Sequence, residues 1–414
     1  MAIGADPDTR LDRTTMTHPL ITQFFVIAST TILAGQTALA AGPANLSVEA
    51  TGPQTRPQDV LHWTAEEKFA GFPAIDTLFP TRPITGTLQP RELPEQLADL
   101  SNFTYDFDNK SWDLKSHMRA QPTAGILVIR NGNIVVEQYG LNHRADLPWV
   151  SFSVTKSVVS LLFGAALKDG FISSLDAPIT DYLPEFKNTS YAGVSIKHIL
   201  HMASGVAWNE DYADRQSDIA QLPVGQDAGF AYMGELPRVA PAGQRFNYNT
   251  GETNIAGAIL RKAIGGNLSD YAGAKLFQPA GLSDNAYWML DAANGDEFAG
   301  CCISATLRDY GRIGLFVLDH SLDAAENSPF PSDWLQQSTS PSTGSDGYGY
   351  FWWLLGDGVY AAEGIFGQII LVDPNRQLVI ALQSAWQDAW SDRSEAQTMA
   401  LFQALANFVT QPRQ

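Results

Sequence analysis

The chain has 414 residues, of which 45% are hydrophobic and only 17% are charged, and its formal net charge at pH 7 is −18. This length and composition predict one large domain, or two interleaved subdomains, with an ample core. The acidic balance argues against nucleic-acid binding and against binding to anionic membranes, because both require a basic patch.

Residues 1–40 have the features of a secretory signal peptide. A short apolar region at residues 24–34 precedes Ala38-Leu39-Ala40, which fits a small-x-small cleavage pattern. The apolar region is too short to span a bilayer comfortably. We therefore expect an exported bacterial protein, periplasmic or secreted, with no membrane association beyond export. Translation would start at Met1 or Met16.

Residues 41–115 are predicted to be a linker followed by an extension. The first part is polar and contains proline and glycine, and the remainder has several prolines and no clear hydrophobic period. We expect the extension to wrap around the main domain, which we place at residues 116–414. The pattern assigns the extension no function.

Secondary structure is most clearly predicted from residue 125 onwards. Two apolar β-type runs, 126–129 and 134–136, flank Asn131-Gly132, which predicts a hairpin. An apolar helix follows Ser153 and ends at Asp169-Gly170, where glycine can supply a left-handed cap. Near the other end, residues 369–372 and 378–382 read as paired strands, and residues 395–409 as a closing helix. This order predicts an α+β fold in which both ends of the core share one antiparallel sheet.

The middle of the chain is predicted to be mainly helical. Residues 196–202, 254–264 and 304–318 read as helices, and the long polar stretch 208–245 reads as a lid-like loop. His198 and His201 are three residues apart, but no carboxylate or cysteine lies at ligand spacing, so we favour packed or capping histidines over a metal pair. The only cysteines, Cys301 and Cys302, are adjacent; a disulfide between neighbours is strained, so we expect free thiols or buried small groups.

The pair Ser153 and Lys156 is the strongest indication of chemistry in the sequence. At a spacing of three, the two side chains lie on the same face of a helix, one turn apart. Burial disfavours the charged form of lysine, so Lys156 could take the proton of Ser153, while the helix N-terminus favours developing negative charge. Such a short pattern also arises by chance on exposed helices. This one is unique in the chain, and its lysine stands in an apolar helix.

Two further stretches can complete a site. Tyr248 lies in a turn rich in glycine and asparagine, from which its hydroxyl can reach a cleft, although a ring packed in the turn is the commoner case. Gly364-Ile365-Phe366-Gly367 leads into the strand at residues 369–372. Glycines at a strand start let a ligand approach the backbone, so an N–H there can bind an oxyanion; a bulge or tight turn is the alternative.

In this order and spacing, Ser153-Val154-Thr155-Lys156, Phe246-Asn247-Tyr248 and Gly364-Ile365-Phe366-Gly367-Gln368 resemble the motifs of the serine β-lactamase-like family. That family includes class C β-lactamases, family VIII carboxylesterases and D-Ala-D-Ala peptidases. Within it, the chain is most similar to the nylon-oligomer (aminohexanoate-dimer) hydrolases. The resemblance runs from about residue 125 to the C-terminus. It implies a β-lactamase/transpeptidase-like fold with flanking helices and a helical subdomain at roughly residues 160–290.

The resemblance also implies a role for each matching residue. Ser153 would be the acylated nucleophile, Lys156 its base or proton relay, and Tyr248 the proton shuttle for the leaving group and the deacylating water. The N–H groups of Ser153 and Ile365 would form the oxyanion hole. The division of base roles between Lys156 and Tyr248 stays open, because the two are expected to titrate together. The residues expected to contact substrate are Tyr212, Gly364 and Phe366.

The sequence departs from the family pattern at two positions. Where β-lactamases have Lys-Thr-Gly, this chain has Ala362-Glu363-Gly364, so the cation that grips a penicillin carboxylate is missing. The tyrosine motif ends in Thr250 rather than the asparagine of class C enzymes. A Gly-x-Ser-x-Gly motif is absent from the sequence, which argues against an α/β-hydrolase esterase.

We therefore predict a serine hydrolase that cleaves small esters or short amides of the aminohexanoate-oligomer type, without a cofactor or metal. Esters are the easier substrates, because their leaving groups need less protonation. Two alternatives stay open: a β-lactamase or D-Ala-D-Ala peptidase, and a non-catalytic cell-wall or ligand-binding module on the same fold. The natural substrate and the oligomeric state are not predicted.

Overall fold

The computed structural model describes residues 56–283, 286–322 and 328–411. The signal peptide predicted at residues 1–40 lies outside them. The strands are β1 (Thr81–Ile84), β2 (Tyr105–Phe107), β3 (Lys110–Trp112), β4 (Thr123–Arg130), β5 (Asn133–Tyr139), β6 (Trp149–Val150), β7 (Ala286–Met289), β8 (Ile303–Ala305), β9 (Trp353–Gly356), β10 (Val359–Gly364), β11 (Gln368–Asp373) and β12 (Leu378–Ser384).

Several short 3₁₀ helices lie between the α-helices of the described chain. The α-helices are α1 (Ala65–Gly71), α2 (Ile75–Leu78), α3 (Leu114–Ala120), α4 (Val154–Lys168), α5 (Ile196–Leu200), α6 (Asp218–Gln221), α7 (Gln226–Glu235), α8 (Thr250–Ile264), α9 (Leu268–Ala272), α10 (Gln278–Ala280), α11 (Leu307–Leu322), α12 (Trp334–Ser338) and α13 (Asp392–Thr410). Helices α4 to α10 follow one another between β6 and β7. None of the helices in the described ranges is long and apolar enough to cross a bilayer.

The main sheet has six strands in the order β5-β4-β12-β11-β10-β9, and every pair is antiparallel. The hairpin β4–β5 turns at Asn131 and Gly132, which have φ of 50° and 78°, the left-handed conformation that an Asn-Gly turn favours. β12 pairs with β4, so segments from both ends of the core lie side by side. The predicted α+β arrangement is confirmed.

The sheet is covered on both faces because the side chains of its strands alternate. On β4, Leu127 and Ile129 point to the core that contains α4, α8 and α11. Their neighbours Ile126 and Val128 point to the opposite core, which α13 closes with Leu401, Phe402 and Leu405. All four β4 residues are fully buried. A strand buried on both faces is expected to be continuously apolar, as this one is.

A smaller antiparallel sheet, β1-β7-β8-β6, brings distant segments to the start of α4. Its edge strand β6 ends at Val150, three residues before Ser153, and pairs with β8. Its other edge strand, β1, comes from the N-terminal extension and pairs with β7. The extension is therefore part of the sheet that positions Ser153.

The structure corrects some predicted boundaries. The stretch 208–245, predicted as one long loop, contains α6 and α7. These helices bury few apolar residues, so their sequences show no clear helical period of hydrophobicity. Helix α8 begins at Thr250 rather than residue 254, because Asn249 caps it by accepting a hydrogen bond from the N–H of Glu252. Helix α4 ends as predicted, with Gly170 in the left-handed conformation at φ 79°.

Candidate active site

Ser153 lies at the start of α4, directly after β6. Residues 154–166 of this helix are all buried, which explains why it has no polar face. One turn along, Nζ of Lys156 donates a hydrogen bond of 2.8 Å to Oγ of Ser153. Ser153 is 9% exposed and Lys156 only 1%. The structure therefore brings the predicted nucleophile and base into direct contact in a nearly dry environment.

The surroundings of Lys156 favour its uncharged form. Burial lowers the pKa of Lys156 to about 8, against the opposing effect of the negative charge of Glu210. A pKa near 8 leaves about a tenth of the amine uncharged at pH 7. Nζ also donates a 2.7 Å hydrogen bond to the carbonyl oxygen of Gly300. The uncharged amine is thus aimed at Ser153 and can accept its proton.

Tyr248 precedes α8 and reaches the same point from the opposite side. Its hydroxyl is hydrogen-bonded to Ser153, and Nζ of Lys156 lies 5.1 Å from the centre of its ring. The ring stacks on Trp353 with 5.6 Å between centroids. Burial, with the charge of Glu210, raises the pKa of Tyr248. The two interpretations of Tyr248 from the sequence were a ring packed in the turn and a hydroxyl that reaches the cleft. Both apply, because the ring stacks on Trp353 while the hydroxyl contacts Ser153.

The end of β10 forms the third side of the site. A Cβ atom at Gly364 would lie 3.0 Å from the backbone nitrogen of Ser153, so only glycine allows the strand to come this close. The next residue, Ile365, lines the pocket beside Ser153. Phe366, at φ 61°, is fully buried and turns its ring inward. Of the three predicted residues here, Ile365 lines the pocket, Gly364 provides the close approach, and Phe366 is not among the described residues that line the pocket.

Next to Ala362, which stands where β-lactamases have the lysine, lies the carboxyl group of Glu363. It is 6% exposed on β10, and its negative charge contributes to raising the pKa of both Tyr248 and Tyr348. Its carboxylate therefore acts on the site electrostatically. A substrate carboxylate placed beside it would meet repulsion instead of a counter-charge.

Tyr212 lies in the lid stretch and lines the pocket next to Ser153. Its hydroxyl donates a 2.8 Å hydrogen bond to Glu210. Glu210 also accepts hydrogen bonds from the backbone N–H of Thr250 at 3.0 Å, from the Thr250 hydroxyl and from the indole N–H of Trp208. Glu210 is not among the site residues predicted from the sequence. The feature of the sequence that could have identified Glu210 is its position two residues before Tyr212, which was expected to contact substrate.

The chain at residues 300–303 forms the floor beneath Lys156. The Thr155 hydroxyl accepts hydrogen bonds from the N–H groups of Cys302 at 2.9 Å and Ile303 at 3.1 Å. The structure joins Cys301 and Cys302 in a vicinal disulfide, so the expectation of free thiols is wrong. Cys302 has φ 92°, and this turn brings the two neighbouring sulfur atoms together. Both cysteines line the pocket beside Ser153.

Comparison with known proteins decides the family. A family model described as Beta-lactamase matches residues 113–404. The chain belongs to the beta-lactamase family. It is therefore an enzyme, a serine hydrolase related to β-lactamases and to esterases. The family and the fold predicted from the sequence are both confirmed.

Named relatives in this family are hydrolases of different kinds. The 6-aminohexanoate-dimer hydrolase of Paenarthrobacter ureafaciens is 25% identical over 301 residues, which cover 67% of this chain and 76% of that protein. Esterase EstB of Burkholderia gladioli is 30% identical over 170 residues, 38% of this chain and 43% of the esterase. A solved structure from Bacillus anthracis, provisionally described as a 6-aminohexanoate-dimer hydrolase, shares the fold with a TM-score of 0.74 and 20% identity, over 84% of this chain and 95% of that one.

The two histidines considered as a metal pair have other contacts in this member of the beta-lactamase family. Nδ1 of His198 accepts a 3.2 Å hydrogen bond from the backbone N–H of Ser195 at the start of α5. His201 packs on Tyr350, with 4.7 Å between ring centroids. The preferred interpretation as capping and packed residues is confirmed. Within the described ranges there is no group of three or more potential ligands that could hold a metal ion.

Behind Tyr248, the first turn of α8 contains a buried carboxyl group, Glu252. It accepts hydrogen bonds from the hydroxyl of Ser204 and from Tyr191 at 3.2 Å and Asn249 at 3.3 Å. Burial raises the pKa of Glu252 to about 8, and these hydrogen bonds only partly oppose the increase. The folded protein therefore keeps a proton here that the unfolded chain releases near pH 4.5.

This retained proton predicts a pH-dependent stability. Between about pH 5 and 8 the unfolded state loses its proton first, so the free energy of unfolding should fall as the pH rises. We expect a decrease on the order of 3 kcal/mol that Glu252→Gln removes, because glutamine keeps the accepting oxygen without ionising. Urea unfolding at pH 5 and pH 8 measures it. The exposed Glu235→Gln should keep the wild-type slope; an equally steep slope in Glu252→Gln would refute the assignment.

Proposed function

We propose that this enzyme cleaves small carboxylic esters and short amides, including amides of the aminohexanoate type, through an acyl-enzyme on Ser153. The observation that carries the proposal is the 2.8 Å hydrogen bond between Lys156 and Ser153, together with the pKa of Lys156 near 8. The aminohexanoate-dimer hydrolase and the esterase among its relatives support this substrate range.

The proposed reaction has two stages. Oγ of Ser153 attacks the substrate carbonyl, its proton passes to the Lys156–Tyr248 pair, and the N–H groups of Ser153 and Ile365 hold the resulting oxyanion. Collapse of the intermediate breaks the bond to the alcohol or amine, which leaves with a proton from that pair. A water molecule then gives a proton to the pair and attacks the acyl group. When this second intermediate collapses, the bond to Oγ of Ser153 breaks, the pair returns the proton to Oγ, and the acid is released. The position of Tyr248 supports its role as the proton shuttle, since its hydroxyl is hydrogen-bonded to Ser153.

A β-lactamase or D-Ala-D-Ala peptidase is the second candidate. Such substrates carry a carboxylate that needs a cation, and the buried Glu363 beside the site supplies the opposite charge. We therefore expect β-lactam turnover at least ~100-fold slower than ester turnover, the effect of unfavourable charge pairing.

A substrate panel with mass detection tests the proposal. The mature protein is incubated with p-nitrophenyl butyrate, an aminohexanoate dimer and a β-lactam, and both turnover and intact mass are measured. We expect ester turnover with a transient acyl adduct that maps to Ser153, slower amide turnover, and little β-lactam hydrolysis. Fast β-lactam hydrolysis would favour the second candidate. Neither turnover nor adduct on folded protein would favour a binding module.

Export, predicted from residues 1–40, remains a proposal that detection of a mature N-terminus after residue 40 would test.

A further inference from the structure

The segment Pro57–Leu78 lies before the residues matched by the family model, yet it contributes to the pocket beside Ser153. It consists of a 3₁₀ helix, Pro57–His62, followed by α1 and α2. Its residues that line the pocket are Pro57, Gln58, Val60, Leu61 and Ile75. One wall of the pocket is thus built from the N-terminal extension, to which the sequence assigned no function.

The pocket contains no charged side chain among its described lining residues. Its polar groups are neutral: Gln58, Ser153, Tyr212, Thr250 and Asn254. Glu210 acts on the site by its charge, but its two oxygens already accept four hydrogen bonds. An ammonium group entering the pocket would lose its hydration without gaining direct contact with a carboxylate, whereas an alkyl chain would gain from leaving water.

The pocket lies on the acyl side of the substrate. Ser153 and Ile365 line it, whereas Lys156 and Tyr248 do not. Because the leaving group must lie near the groups that protonate it, the leaving group would point toward Lys156 and Tyr248. The acyl group then points into the pocket, against the wall formed by the N-terminal segment.

Phe72 holds this wall against both backbone segments that form the proposed oxyanion hole. Its ring is fully buried. The ring centroid lies 5.1 Å from that of Phe152, the residue before Ser153, and 5.4 Å from that of Phe366, the residue after Ile365. Phe152 and Phe366 also contact each other at 5.3 Å. Three mutually packed aromatic rings therefore connect the segment to both sides of the site.

Lys68 fixes the same segment from the other side. It is 3% exposed, and its Nζ donates hydrogen bonds of 2.8 Å to the carbonyl oxygen of Trp386 and 2.5 Å to that of Gln387. Nζ also lies 4.6 Å from the centre of the Phe366 ring. The backbone N–H of Trp386 in turn donates to the carbonyl oxygen of Phe366 at 3.2 Å. Moving the segment away would leave a buried cation without acceptors, so the wall is a fixed part of the site.

We propose that the segment Pro57–Leu78 is the specificity-determining wall of an acyl pocket that accepts uncharged, apolar acyl groups and disfavours acyl groups ending in an ammonium. This inference rests on the proposed acyl-enzyme chemistry and narrows its substrate class to esters and amides with an uncharged acyl group. The aminohexanoate dimer has an acyl group that ends in an ammonium, so it should be a poor substrate compared with an amide of hexanoic acid. According to this proposal, the residues that set the acyl-chain preference lie before residues 113–404, the region that the family model matches.

Two esters of nearly equal length test the charge preference. We compare kcat/KM for p-nitrophenyl hexanoate and p-nitrophenyl 6-aminohexanoate, which differ only by the terminal ammonium. The wild type should prefer the hexanoate at least ~100-fold, because the ammonium has no partner in the pocket. Leu61→Glu should reduce this ratio at least tenfold by supplying a carboxylate in the wall. The matched control Ala65→Glu adds the same charge at an exposed position of the segment and should leave the ratio unchanged.

A second variant, Leu61→Trp, tests the wall without placing a charged side chain in it. Leu61→Trp should fill the pocket and reduce the ratio of octanoate to acetate turnover at least tenfold, while acetate turnover stays within about threefold of wild type. Labelling of Ser153 by a fluorophosphonate verifies that each variant is folded and active. If Leu61→Glu is not labelled, the wild-type ratio and Leu61→Trp decide.

The outcomes separate this inference from the proposed function. A wild type that acylates with neither hexanoate nor acetate overturns the acyl-enzyme proposal itself. A wild type that acylates but uses the aminohexanoate ester equally well overturns only the apolar acyl pocket. A normal wild-type preference that no substitution at Leu61 alters would show that the wall does not set it.

Discussion

Ser153→Ala is expected to abolish covalent labelling and to reduce kcat/KM for p-nitrophenyl butyrate by ~10⁴-fold or more. Oγ of Ser153 is the only hydroxyl in hydrogen-bond contact with Nζ of Lys156 among the described residues, so no neighbour can replace it as the nucleophile. Losses of this size are typical when the nucleophile of a serine hydrolase is removed, and the remaining rate reflects binding and the oxyanion hole alone. Intact mass after fluorophosphonate treatment and steady-state ester kinetics measure the two effects.

Ser160→Ala is a matched control for this substitution. Ser160 lies in the same helix, is fully buried, and its hydroxyl has no hydrogen-bond partner in the described structure. Ser160→Ala removes a serine Oγ from the same helix. We expect labelling and kcat/KM to stay within about threefold of wild type. Labelling of Ser153→Ala at the wild-type rate would place the nucleophile elsewhere and overturn the proposed mechanism.

Lys156→Met is expected to lower kcat/KM by ~10³-fold, because methionine fills a similar volume but cannot accept the proton of Ser153. The wild type should also show kcat/KM rising with pH and levelling off above about pH 8. The sign follows from burial, which lowers the pKa of Lys156 to about 8 and makes the uncharged amine the active form. In Lys156→Met this rise should disappear from the residual activity. Ester kinetics between pH 6 and 9.5 measure both effects.

The exposed Lys168→Met, in the last turn of the same helix, controls for loss of a positive charge. Its profile should follow the wild type. Because Tyr248 is hydrogen-bonded to Ser153 as well, Tyr248→Phe measured in parallel separates the partners. If Lys156→Met kept the inflection near pH 8, the titrating group would not be the lysine.

The sequence could predict the features that depend on local chemistry. Asn131-Gly132 specified the hairpin turn, and Ser153 with Lys156 in an apolar helix specified the central contact. Tyr248 required a family resemblance, since a tyrosine in a turn has no local signal for its partner. The strands at both ends of the core predicted the shared sheet, because each has the continuous apolar pattern of a buried strand.

The features that sequence analysis missed depend on contacts between distant residues. Lys68 meets the carbonyl oxygen of Trp386 318 residues away, and nothing near Lys68 indicates that it is buried. The disulfide between Cys301 and Cys302 depends on a turn held by Thr155. Glu210 gains its role only when the lid stretch folds onto Thr250. Such contacts leave no periodic pattern in the sequence.

The pairing of β4 with β12 has a consequence for how the chain assembles. During synthesis β4 and β5 form a narrow ribbon with the β4 edge open, because the partner of β4 lies about 250 residues further along the chain and only residues 94–98 can pair beside β5. Such a ribbon is marginally stable, and its open edge can pair wrongly until β12 arrives. Helices α4, α5 and α7 all pack on α8, so the helical layer can form earlier. Closing the central sheet is then the late, slow step of folding, and it completes the Gly364 side of the site only after the helix carrying Ser153 is in place.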